Sequence, residues 1–142
     1  MITEMQPGRW YMGRCAHGSD LLDELTAYCE QKNITCGKIE VIGAVQKARF
    51  GYYDQQNRQY HYTETPRHME ILSCIGNISL NEGKPMVHAH ITFADEEGKA
   101  FGGHMAQGTI VFAAEYIIQA FDNTTLIREN DDTTGLRLWR ER

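Results

Sequence analysis

Beyond residue 37 almost every segment of this 142-residue chain reads as a β-strand, which narrows the available folds more than any other feature. Residues 38–42 form a first β-rich run that ends at Gly43, and a second run from Ala44 continues through Phe50, Gly51, Tyr52 and Tyr53. Asp54, Gln55, Gln56 and Asn57 supply a turn, and residues 58–62 alternate into a returning strand. Residues 69–80 are again β-rich, with an expected break at Gly76 and Asn77. From 108 to 121 the chain is nearly all apolar, so periodicity cannot separate a buried strand from a buried helix. Its content of Thr109, Ile110, Val111, Phe112, Tyr116, Ile117, Ile118 and Phe121 favours strand. Residues 126–128 and 136–139 flank a polar loop and are expected to close the sheet.

One segment departs from this pattern. After a first strand at 10–15, Ser19 is the expected N-cap of a helix, and Asp20 and Asp23 favour its first-turn dipole. Leu21, Leu25, Tyr28 and Cys29 fall on one face at helical spacing, and the helix should stop near Asn33. Seven or more strands with one main helix make an α+β fold. The length suits a single domain over residues 1–142, with no repeat or long linker.

The chemistry concentrates in a 17-residue window that holds His88, His90 and His104. Histidines two apart on a strand share a face, and neutral imidazole is the commonest metal ligand. Three nitrogens around one point would make a zinc site with an open fourth position, although the pattern alone does not select zinc over another divalent ion. With Asp95, Glu96, Glu97 and Gly98 as the turn, Ala94 pairs with Lys99 and His104 lands opposite Ala89, on the wrong face. A bulge at Gly102 and Gly103 would bring His104 onto the shared face. The plain alternative is three unrelated histidines.

Other groups carry weaker signals. Glu70 and Glu115 are acids inside apolar runs. Glu70 is the candidate general base on a metal-bound water, or an orienter of a ligand histidine; the alternative, favoured for Glu115, is a solvated or arginine-paired acid. Asn77 can offer a polar group to a cleft, but suits a turn equally well. His17 stands at the start of the helix, where capping explains it without an anion, and His61 and His68 lack partner spacing. Arg9, Arg14, Arg137, Arg140 and Arg142, with Trp10 and Trp139, can converge into a basic patch or simply guard sheet edges. Cys15, Cys29, Cys36 and Cys74 lack metal or redox spacing and are expected to be reduced, buried fillers.

Fourteen basic against nineteen acidic side chains, a net charge of −5, argue against tight unaided binding to nucleic acid. No run spans a bilayer and the N-terminus has no signal pattern, so the expectation is a soluble, cytoplasmic protein.

In order and spacing the chain closely resembles the PPC family, the plants and prokaryotes conserved domain. The resemblance is carried by Gly18-Ser19-Asp20-Leu21-Leu22, Ile42-Gly43-Ala44-Val45, residues 69–78, His88-Ala89-His90, Gly102-Gly103-His104-Met105, Gly108-Thr109-Ile110 and Glu115. It implies a compact mixed, mainly antiparallel sheet with one principal helix, assembly as a homotrimer, and a metal, zinc first, at the three histidines. The chain lacks the Arg-Gly-Arg-Pro core of the AT-hook that accompanies the domain in plants. Two function classes follow. The leading one is a metal-dependent enzyme or small-molecule binder of unspecified substrate; the alternative is a DNA-associated regulatory trimer with a structural metal.

Overall fold

The computed structural model describes residues 2–140, and among them nine strands and one helix form. In chain order they are β1 (Gln6–Arg14), α1 (Leu21–Gln31), β2 (Gly37–Asp54), β3 (Gln59–Thr65), β4 (Met69–Asn81), β5 (Lys84–Ala94), β6 (Ala100–Met105), β7 (Ile110–Asp122), β8 (Ile127–Asn130) and β9 (Arg137–Trp139). All pairings are antiparallel except β4 with β8. The strand order is β1-β7-β2-β6-β5-β4-β8-β9, and β3 pairs with β2. The ambiguous apolar run at 108–121 is a strand, as its β-branched content implied.

Two expected breaks are absent. The run that was to end at Gly43 continues, and β2 is a single 18-residue strand. Gly43 bends it instead: its φ is +140°, and a Cβ there would meet the Ala113 carbonyl oxygen at 2.2 Å. The register against β4 and β7 shifts close to that point. Likewise Gly76 does not interrupt β4, because it is paired with Ile39 on one side and Ala89 on the other. A segment hydrogen-bonded along both edges stays extended whatever its own propensity.

Because β2 is long, it pairs with β4 and β7 through its first half and with β3 and β6 through its second. Together with β4–β5 and β5–β6, these pairings close a circuit of strands. Its inward face carries Ile39, Val41, Cys74, Ile78, Val87, Ile91, Phe93 and Met105, all buried. The helix covers part of this core with Leu21, Leu25 and Cys29. Tyr28 packs edge-on against Tyr11 of β1 and at a tilt against Tyr116 of β7. All four cysteines are free and buried, and burial pushes the Cys74 thiol up to about 12.

The start of the helix differs from expectation by one residue. Asp20, rather than Ser19, is the N-cap, and its Oδ1 accepts from the Leu22 and Asp23 amides at 3.0 and 3.1 Å. Its second oxygen accepts from the Gly108 amide at 2.5 Å and so ties the helix to the loop before β7. Ser19 instead donates to the Ala16 carbonyl and to Glu24. Asp20→Ala should therefore cost about 1–2 kcal/mol, the upper range for a lost cap. Urea unfolding with an unchanged m-value checks this; a loss within about 0.3 kcal/mol would mean that another group caps the helix.

Candidate metal centre

Strand alternation places Val87, Ala89, Ile91 and Phe93 of β5 in the core, and His88 and His90 on the opposite, outer face. The β5–β6 turn then decides where His104 falls. Ala94 pairs with Ala100, not Lys99, so the turn holds five residues, 95–99. Asp95 organises it, with Oδ1 accepting from the Glu97 and Lys99 amides at 3.0 and 2.9 Å. The extra residue shifts the ladder by one, and His104 lies directly opposite His90. Facing residues of an antiparallel pair project to the same side, so no bulge is needed. Gly102 serves close approach instead: a Cβ there would sit 1.9 Å from the Ile91 carbonyl oxygen.

The three histidines accordingly converge. One nitrogen of each lies within 4.8 Å of the others, and the ring centroids are 5.1 to 5.8 Å apart. Burial above all, with the Arg128 charge and the neighbouring histidines, pushes the His88 pKa down to about 4. His104 is pushed down as well, by burial, His90 and Arg128. Both rings are neutral at pH 7, the form that binds metals. His104 Nδ1 is buried and has no hydrogen-bond partner. A buried lone pair left unpaired is unfavourable unless something else uses it, and a cation would. The donor set fits a divalent ion such as zinc.

Two walls flank the cluster. On one side the Tyr60 ring of β3 packs on His104 at 4.8 Å, next to Tyr53 and Tyr62. On the other, the C-terminal hairpin β8–β9 brings Arg128 in from the edge of β4. Arg128 is 7% exposed. Its Nε donates to Ser79 Oγ at 2.8 Å, Nη1 to the Arg137 carbonyl at 2.9 Å and Nη2 to Asn77 Oδ1 at 2.8 Å. Nη2 also reaches His88 Nδ1 at 3.4 Å, and the guanidinium lies 5.7 Å from the Trp139 ring centroid. Asn77, read from sequence as a cleft or turn residue, is thus an in-register strand residue opposite His88 that fixes Arg128.

Glu70 is not brought to this cluster. It pairs with Ala94, four residues along β5 from His90, which is about 13 Å at strand rise. There it is exposed and lines an open groove with Arg67, His68, Asp95 and Glu96. Glu115 is exposed on β7 opposite Arg14. Cys74 lies on the core side, against the Met105 sulfur at 3.7 Å. His17 is held by the Phe112 carbonyl at 2.8 Å and by Gln46. The terminal arginines do not converge, since β1 and β9 stand at the two ends of the strand order. Arg137 is paired with Glu82 at 2.6 Å and Arg140 with Glu129 at 3.1 Å; Arg142 lies outside the described residues.

Sequence reasoning missed Tyr60 and Arg128 as site residues. The signal for Arg128 was its parity: it alternates with buried Leu126 around exposed Ile127, an inward-facing charge. The unpaired Nδ1 yields a test on the protein stripped with EDTA. His104→Phe removes a buried unsatisfied nitrogen that costs about 1–3 kcal/mol and keeps a ring of similar size. The stripped variant should melt at or above the stripped wild type; a fall of several degrees would show that the nitrogen has a protein partner.

The comparisons with known proteins place the fold. A protein from Archaeoglobus fulgidus described as metal-containing superposes with a TM-score of 0.94 at 35% identity, over 99% of both chains. A plant- and prokaryote-conserved (PPC) protein from Pyrococcus horikoshii gives 0.93 at 34% identity, over 100% of this chain and 99% of that one. The bifunctional protein GlmU of a Synechococcus strain is 28% identical over 129 residues, 89% of this chain. The chain spans about a fifth of the length of that curated relative, 20%. Residues 2–122 match the Plants and Prokaryotes Conserved (PCC) domain, and the chain belongs to that family.

Proposed function

We propose that this protein holds one divalent metal ion, zinc first, at His88, His90 and His104, and uses the open side of that ion to bind a small molecule. The observation that carries this reading is the convergence of three ligand nitrogens within 4.8 Å, and His104 also holds a buried Nδ1 without a partner. The metal-containing relative at 35% identity supports it. Three protein ligands are the number used by zinc sites that keep a position for water or substrate, whereas structural sites usually close with four. Bound there, the ion supplies Lewis-acid chemistry to an oxygen on its open side. The chain's own contribution is to keep His88 and His104 neutral, seat His104 under Tyr60, and present Arg128 from the far wall.

The DNA-associated alternative draws less support. The chain carries a net charge of −5, and Arg137 and Arg140 on its C-terminal hairpin are engaged by glutamates. No helix of the described residues is long and apolar enough to cross a membrane.

We also propose that the outer face is covered by further copies in a closed homotrimer, as the family resemblance implies. Met12, Ile42, Leu72, Ile75 and Phe112 are each more than half exposed, and such apolar surface marks an interface. Light scattering at micromolar concentration should report about three chains per particle; a monomer would remove the trimer and leave the metal reading untouched.

For the metal, the purified protein should contain about one ion per chain by elemental analysis. His88→Ala, His90→Ala and His104→Ala should each lower that content at least about tenfold while the circular dichroism stays native, because the core is formed without the ion. Stoichiometric metal in His104→Ala would refute the site.

A further inference from the structure

Arg128 is a buried cation with no anionic partner among the described residues. Among the described residues no carboxylate lies within ion-pair distance of it, and every group it donates to is neutral: Ser79, Asn77, the Arg137 carbonyl and His88. Buried guanidinium groups are ordinarily paired with an acid. Arg128 lies past residue 122, beyond the span that matches the family model, on β8 of the C-terminal hairpin.

The contact with His88 makes this more than an oddity of packing. A neutral imidazole offers one nitrogen lone pair. In the ion-free geometry that lone pair faces Arg128 Nη2 from His88 Nδ1, at 3.4 Å. Coordination through Nδ1 takes the same lone pair. Coordination through Nε2 places the ring proton on Nδ1, where it faces the N–H of Nη2. By either route one N–H of Nη2 loses its acceptor when the histidines are loaded. Nη1 donates one of its two hydrogens to the Arg137 carbonyl and has a second to give. The loaded site thus presents two N–H groups, one on each terminal nitrogen, beside a second positive charge whose ligand cluster holds no acid among the described residues.

We propose that Arg128 anchors a small-molecule carboxylate, which lies between its guanidinium and the open side of the metal centre. The inference rests on the metal reading above. Two adjacent N–H donors match the two oxygens of one carboxylate. No lysine accompanies Arg128 among the groups it contacts, so a tetrahedral dianion finds too few donors. Arg128 is here a binding residue for the acid group. Asn77 and Ser79 are positioning residues that hold the guanidinium in place.

The experiment uses the cobalt(II)-loaded protein, whose visible absorption reports both loading and changes at the open position. Acetate is the probe, with sulfate as the competing oxyanion. Wild type should load cobalt and respond saturably to acetate. Arg128→Gln should keep its cobalt and bind acetate about tenfold or more weakly, with Arg128→Lys in between, as expected for loss of a charged hydrogen bond. Full cobalt with unchanged acetate affinity in Arg128→Gln would overturn the inference and leave the metal site standing. Failure of wild type to load cobalt would overturn the metal reading, and this one with it. Tighter binding of sulfate than acetate would reject the carboxylate class. Should Arg128→Gln misfold, a crystal structure of the wild-type cobalt–acetate complex decides. An acetate oxygen about 3 Å from the guanidinium supports the inference, and acetate turned away from Arg128 overturns it.

Discussion

The hydrogen-bond ladder of β2 is the constraint on which the rest of the molecule depends. Eighteen extended residues present donors and acceptors along both edges, and leaving them unpaired in an interior would be unfavourable at each position. β7 pairs one edge of the first half and β4 the other, while β3 and β6 pair the second half. The register then propagates around the circuit. Glu40 of β2 faces Ile75 of β4, Ile75 faces His90 of β5, His90 faces His104 of β6, and His104 faces Gly51 of β2 again. A one-residue slip at any step would have to be compensated elsewhere, and each slip would exchange core and outer side chains. His104 is therefore held from two sides, which is the rigidity a ligand set requires.

The same alternation separates two kinds of chemistry by the thickness of a strand. On β5 the odd residues carry the core beneath the helix, and the even ones carry two of the three imidazoles. Met105 closes the core while its neighbour His104 completes the cluster. His88 and His104 can thus be half-buried without introducing polar atoms into the packed interior. Their shelter comes from Tyr60 and the C-terminal hairpin, which lie over the outer face. That hairpin is secured at a distance: Tyr53 Oη donates to the Thr134 carbonyl at 2.7 Å, and Asp131 accepts from the Thr134 amide and hydroxyl at 2.8 and 2.6 Å.

How much of this was legible depended on whether the deciding interaction was local. The helix was readable because Leu21, Leu25 and Cys29 recur at its own period, and the apolar run of β7 because its residues are β-branched. The three histidines were readable as a set because two share a strand. What failed was decided by partners distant in sequence. Gly43 and Gly76 look like breaks, but both lie between paired neighbours that keep the strand extended. Asp20 became the cap in place of Ser19 because its second oxygen also meets the Gly108 amide, a contact 88 residues away. The His104 register turned on whether Asp95 closes a four- or a five-residue turn, and the Asp95 side chain settled it with two backbone amides. Arg128 joined the site through a parallel pairing of β8 with β4, a partner strand that local parity alone does not name.

The electrostatics of the outer face follow from who sits beside whom. Three imidazoles and a guanidinium are gathered in one half-buried place, and no acid among the described residues is paired with Arg128 there. Arg128 is one of the causes that hold His88 unprotonated, so its charge helps keep a lone pair available instead of competing for it by protonation. Yet the hydrogen bond from Nη2 to Nδ1 uses that same lone pair. The two effects oppose each other: the charge prepares His88 for a cation, while the hydrogen bond must be surrendered to one. Such a contact, at 3.4 Å, is long and weak for an N–H donor, so the loss is small beside the gain of a metal–nitrogen bond. What cannot be surrendered cheaply is the charge. Two positive groups side by side in a sheltered cleft repel more strongly than they would in water. The arrangement is therefore best satisfied by an anion that touches both, and no acid among the described residues is paired with Arg128.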